Sequence, residues 1–138
     1  MKYFKIVVIV CILIACQLHL VDTTTKLTYE AFTRGSSIEI VLTQNQLQKT
    51  TNDETQRIEI SDAQWNAISS EIAQLDVGKI ESYPAPSEDR FVDAAMHASL
   101  KLTLKDATYT SQTFDHGNPP NELKNLISIL LQWAAINE

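Results

Sequence analysis

Between Leu27 and Ile60 four short strand-like runs are separated by breaks of only two to four residues. Connections that short cannot carry the chain across a sheet to a parallel neighbour, which takes a dozen residues or more. Consecutive runs must therefore pair antiparallel. In the first, Leu27 to Thr33, Leu27, Tyr29 and Ala31 alternate with Thr28, Glu30 and Phe32, a half-buried strand pattern. Arg34-Gly35-Ser36-Ser37 reads as a turn, with Gly35 free to take positive φ. Ile38 to Thr43 places Ile38, Ile40 and Leu42 on one face, and Gln44-Asn45 is a hairpin tip. Gln46 to Thr51 is polar and reads as an edge strand. After a turn at Asn52 to Thr55, Gln56 to Ile60 points Ile58 and Ile60 inward.

The period then changes. Ser61-Asp62-Ala63-Gln64 is a capping box, and Trp65, Ile68, Ile72 and Leu75 form one apolar helical stripe. Trp65 falls on that stripe, which assigns it to the core rather than to ligand stacking. Asp76-Val77-Gly78 ends the helix, with Gly78 as a left-handed stop. Residues 81–95 form a connection long enough to carry function. Met96 to Lys105 and Thr108 to Asp115 make a hairpin with Asp106-Ala107 at its tip. Asn118 caps a final helix with Pro119 at its first position, and Leu123, Leu126, Ile127, Leu130, Trp133 and Ala134 supply its apolar face. The order ββββ-α-ββ-α with short links predicts an α+β fold, an antiparallel sheet with both helices on one face.

The first 26 residues have a different character. Lys2 and Lys5 precede an apolar run from Ile6 to Ala15, which is too short to span a bilayer (about 20 residues) and reads as a signal-peptide core. Leu13-Ile14-Ala15-Cys16 resembles the bacterial lipobox, whose cysteine is acylated before cleavage on its N-terminal side. The expected organisation is a signal peptide over 1–15, a lipid-anchored tether over 16–26, and one α+β domain over 27–138. Two or more acyl chains, palmitate among them, satisfy the two-signal requirement for stable anchoring. Gln17 after the lipidated cysteine fits an outer-membrane destination, so the expected location is the cell envelope, on the outer membrane facing the periplasm. Cys11 and Cys16 are the only cysteines, so the domain has no disulfide, thiolate nucleophile or cysteine metal site. Without Lys2 and Lys5, nine basic residues face 17 acidic ones, a net charge of −8. That charge is repelled by anionic headgroups and lacks the basic footprint of a nucleic-acid binder.

Candidate chemistry gathers in two segments: Glu88-Asp89-Arg90 with Asp93 and His97, and Asp115-His116-Gly117. With Asp106-Ala107 at the tip, His97 faces His116; a one-residue slip puts it opposite Asp115. Three readings are open. Arg90 could pair with Asp93 or Asp115 and pin the long loop, with Asp115 accepting backbone N–H groups and Phe91 packing the loop down. His97, His116, Asp93 and Asp115 could hold zinc or iron and support hydrolysis. Arg90 and Arg34 could bind an acidic ligand or peptide. No G-x-S-x-G, S-x-x-K, G-x-G-x-x-G or P-loop pattern is present.

Tyr29-Glu30-Ala31-Phe32-Thr33-Arg34-Gly35, Trp65, Ala85-Pro86-Ser87, Arg90, Asp93-Ala94-Ala95, His97-Ala98 and Phe114-Asp115-His116-Gly117-Asn118-Pro119-Pro120 together resemble a family of small uncharacterised envelope lipoproteins of Bacteroidetes-type bacteria. The resemblance spans nearly all of the chain after the leader. It implies a fold and a location but no reaction. The functional expectation is a lipid-anchored, non-catalytic binding or structural module, in contact with the bilayer through Cys16 and with an envelope protein or peptide. The alternative is the metal-binding or hydrolytic site. Cys16→Ser should leave the precursor uncleaved at this site and unlabelled by radioactive palmitate; normal processing and membrane partition would overturn the lipoprotein reading.

Overall fold

A computed structural model describes residues 24–105 and 107–136. The stretch expected to be a signal peptide, Cys16 and most of the expected tether lie outside the described residues. Seven strands run β1 (Thr24–Thr33), β2 (Ser36–Leu42), β3 (Gln46–Thr51), β4 (Glu54–Glu59), β5 (His97–Leu104), β6 (Thr108–Thr110) and β7 (Phe114–Asp115), with α1 (Asp62–Ala73) after β4 and α2 (Lys124–Trp133) after β7. They form one sheet in the order β4-β3-β2-β1-β5-β6, with β7 also on β5. Every pairing is antiparallel. The fold is α+β, as the short connections dictate.

The alternation in β1 sets the two faces of the sheet. Leu27, Tyr29 and Ala31 are buried, along with Ile40, Leu42, Leu47, Ala98, Leu100, Leu102 and Phe114 from neighbouring strands. Trp65, Ile68 and Ile72 of α1 and Leu126, Ile127, Leu130 and Leu131 of α2 join the same core, so both helices cover one face. The opposite phase of β1 leaves Phe32 on the uncovered face, 57% exposed.

Several local expectations are corrected. β1 begins at Thr24, inside the stretch read as tether, and pairs there with Leu104. β3 is not an edge, since β4 lies outside it. Its polar side chains fit because Lys49 reaches over and donates to the Ala134 carbonyl at 2.9 Å, placing a cation at the negative end of α2. The β3–β4 turn is closed by Asn52 and Asp53 alone, both at positive φ (46° and 75°), the geometry that matches hairpin twist. Gly35 and Gly78, by contrast, do not have positive φ. The capping box at Ser61 forms, with both reciprocal bonds. However, α1 stops at Ala73, and Gly78 lies in a 3₁₀ turn, Val77–Ser82.

Asn118 does not cap the last helix. Pro119 and Pro120 are buried and non-helical, and a 3₁₀ turn (Asn121–Leu123) precedes α2. α2 ends on Ala135 at φ 51°, where the Ala135 N–H reaches the Gln132 carbonyl and the Ile136 N–H reaches that of Leu131. This is a Schellman stop built on alanine instead of glycine.

The hairpin register also differs. Leu104 donates to Ala107, so the turn closes one residue early, and Lys101 pairs with Thr110. Residues 111–113 then interrupt the strand. The Ser111 hydroxyl takes the Leu100 N–H at 3.0 Å in place of a backbone carbonyl. One extra residue accumulates there, and pairing resumes with His97 opposite Asp115 and Ala98 opposite Phe114.

Two substitutions test this packing. Trp65→Ala should cost about 3–5 kcal/mol in urea unfolding. Ala135→Gly should stabilise by about 1 kcal/mol, because glycine adopts the left-handed conformation without a Cβ penalty. A loss on Ala135→Gly would show that the stop is not strained.

Candidate functional site

β7 consists of two residues, and each serves a different face. Phe114 enters the core, 6.3 Å from the Tyr29 ring. Asp115 points the other way and is 2% exposed. A carboxylate so placed needs donors, and the long connection supplies them. Its 3₁₀ turn, Asp89–Val92, starts against the carboxylate. The Asp89 N–H donates to Oδ2 at 2.8 Å and the Arg90 N–H to Oδ1 at 3.0 Å. The Ser87 hydroxyl also donates to Oδ2, at 2.5 Å. Arg90, itself 7% exposed, donates from Nη1 to Oδ1 at 3.0 Å and to the Ser87 carbonyl at 2.6 Å. Asn118 closes the cluster by donating from Nδ2 to the Ser87 hydroxyl at 2.7 Å.

Burial pushes the Asp115 carboxyl up. The Ser87 hydroxyl, the Arg90 guanidinium and the two backbone N–H groups together outweigh it and hold the group well below the ordinary carboxylate range. It stays ionised at any physiological pH. The turn Asp115-His116-Gly117-Asn118 aims the group: Asn118 N–H returns to the Asp115 carbonyl at 2.9 Å, with Gly117 at φ 86°, the third position where a type II turn requires it.

Comparison with models of protein families, with curated proteins and with solved structures finds no match. The site therefore rests on its own geometry.

The residues singled out from sequence fall into separate environments. Arg90 pairs with Asp115, not Asp93. Its guanidinium does not grip the carboxylate bidentately, because Nη1 is shared between Asp115 and the Ser87 carbonyl. Its side chain is held inward on Asp115, while Arg34 sits exposed at the β1–β2 turn. Asp93 is exposed and ends the 3₁₀ turn at φ 58°, a conformation aspartate tolerates better than most residues.

The two histidines part company. The His116 Nδ1 is 2.7 Å from the buried Tyr29 hydroxyl, on the core side. His97 lies on the uncovered side, stacked on Phe32 with centroids 5.5 Å apart and 15° between planes. Among the described residues no group of three His, Cys, Asp or Glu side chains is placed to hold a metal ion. The set His97, His116, Asp93 and Asp115 expected for zinc or iron is not assembled, because strand alternation sends its members to different faces and Asp115 is already filled by donors.

Phe91 gives a further correction. It does not pack the loop down but stands 66% exposed, beside Val92 at 76%. Its ring meets His97 edge-on at 6.2 Å and carries the Arg90 guanidinium carbon 4.3 Å from its centroid. The result is a row of Phe32, His97, Phe91 and Arg90 across the open end of the hairpin. Sequence pattern alone does not bring these residues together; its signals are the polar phase of Phe32 in β1 and the charged run Glu88-Asp89-Arg90 before Phe91.

Asp115→Asn should lower stability by about 3–5 kcal/mol, since it leaves Arg90 buried without its counter-charge. The sign with pH follows from the depressed carboxyl. Between its folded value and the unfolded value near 3.9, the unfolded chain binds more protons. The contribution is complete above about pH 5 and is lost as pH falls through the folded value. Urea midpoints measured down the acid limb should therefore fall more steeply for wild type than for Asp115→Asn. Arg90→Lys keeps the charge but not the shared Nη1 geometry; it should cost about 1–3 kcal/mol and open the chain to proteolysis between Pro84 and Asp89. An unchanged midpoint and cleavage rate would reject the pinning role.

Proposed function

We propose that this chain is a lipid-anchored envelope module that binds a partner at the open end of the β5–β7 hairpin and carries out no catalysis there. One observation carries the reading. Phe32, Phe91 and Val92 are the large apolar side chains left exposed among the described residues, and the two phenylalanines flank one histidine ring. Exposed apolar groups gathered in one place mark interaction surfaces more often than scattered ones do. Here Phe32 stands on β1, and Phe91 and Val92 stand on a loop locked by a buried ion pair, so binding would require little ordering of that loop.

The position agrees with an anchor at Cys16. The described chain enters the sheet at Thr24, and Phe32 lies eight residues along the same strand, about 25 Å away. A lipid attached upstream of Thr24 would hold the other end of the sheet near the bilayer and turn the aromatic row away from it. The partner would then be an envelope component beyond the tethering membrane surface, an envelope protein or peptide. Within the family resemblance, this accounts for a shared fold without requiring a shared reaction.

A photo-crosslinking amino acid at position 91 of the full chain, expressed in its native envelope, tests the reading. A discrete adduct is expected from position 91 and not from exposed Gln56 on β4, and Phe32→Ala should weaken it while changing stability by no more than about 0.5 kcal/mol. Equal crosslinking from both positions, or none, would overturn the binding site. Stoichiometric zinc or iron in untagged protein would favour the metal-binding alternative instead.

A further inference from the structure

The two edges of the sheet are built differently. β4, at one edge, carries Glu54, Arg57 and Glu59 among its six residues. Charges on an edge strand deter the addition of another strand. At the other edge, Thr108-Tyr109-Thr110-Ser111-Gln112-Thr113 has no charged residue, in a chain where 20% of residues are charged.

The register shows which backbone groups this edge offers. Leu104 bonds to Ala107 and Ser111 bonds to Leu100, so Leu102 and Tyr109 form the hydrogen-bonded pair between them. The alternation of antiparallel ladders then turns the N–H and C=O groups of Thr108 and Thr110 away from β5. No backbone hydrogen bond from another described segment reaches either residue.

The same edge lines an open groove of about 460 Å³. Thr108 to Thr113 form one wall, and Gly78, Ile80 and Glu81 of the first 3₁₀ turn form the other. Ile80 anchors that wall, since its side chain is buried in the core. A Cβ built on Gly78 would meet only Asp76 Oδ1, at 3.6 Å. The missing side chain there relieves no strain; it leaves the wall low.

We propose that the free edge of β6 is a strand-addition site for an uncharged, extended peptide segment of a partner protein. Main-chain bonds to Thr108 and Thr110 would hold the segment, and the hydroxyl-lined wall would accept small polar or β-branched side chains. The net charge of −6 on each chain opposes the approach of a second copy, so the occupant is an uncharged segment of a partner rather than the same edge of another copy. This site is separate from the aromatic row and does not depend on it.

The test uses the full chain in detergent with the peptide acetyl-Thr-Val-Thr-Val-Thr-amide as probe. Amide exchange at Thr108 and Thr110 should slow by about tenfold or more at low-millimolar peptide. Thr110→Pro removes an outward N–H, which an edge strand tolerates, and should abolish the protection. Gly78→Leu fills the groove from the opposite wall, and it keeps the test decisive if the proline variant fails to fold. Absence of protection at Thr108 and Thr110, or protection that survives Gly78→Leu in a folded protein, overturns the proposal. A dimer whose formation protects the same amides would also overturn it in favour of a second copy.

Discussion

An ionised carboxylate removed from water must find donors, and in this protein that requirement organises the long connection before β5 and the open end of the hairpin. Asp115 accepts from a serine hydroxyl, a guanidinium and two successive backbone N–H groups, all from one loop. Tyr83 and Ala85 pack the start of the loop against the core, but its 3₁₀ turn exposes Phe91 and Val92, so hydrophobic burial does not hold that turn. The charge-assisted bonds replace that burial. Removing one partner would leave the other charge stranded, which makes the arrangement all-or-none rather than gradual.

The same lock explains why aromatic groups stand in the open. Arg90 is drawn inward by Asp115, and the next residue in the 3₁₀ turn is directed outward. Phe91 therefore rises over the guanidinium and meets His97 on the uncovered face of the sheet. A loop held by apolar packing would have buried Phe91. Held by ions, it presents Phe91, and the surface so formed is bonded to β7 on one side and open to water on the other. The proposed binding role follows from that division of labour.

The core works by a simpler rule. Strand alternation delivers one apolar face, and two amphipathic helices cover it. Irregularities occur where the backbone needs a local substitute for a missing partner: the Ser111 hydroxyl for a ladder carbonyl, and the Lys49 ammonium at the last turn of α2. Each satisfies a polar group that would otherwise be buried without a bond.

Much of this was legible along the chain, because it depends on neighbours in sequence. Short connections dictate antiparallel pairing, alternation in Leu27 to Phe32 assigns the faces, and Ser61 with Gln64 starts the first helix. Asp115, Arg90 and the long loop also announce themselves as a candidate cluster by residue type alone. What sequence could not decide is which partner each charge takes and which way each ring faces. Arg90 had Asp93 three residues away, yet it chose Asp115 across 25 positions, because only the register of β7 on β5 brings that carboxylate under the 3₁₀ turn. The register in turn depends on a turn that closes one residue early and an extra residue at Ser111 to Thr113, neither marked by glycine or proline. His97 and His116 look like a pair when read in line. The pleat separates them, since residues one step apart in register point to opposite faces of a sheet, and only the folded strands determine that step.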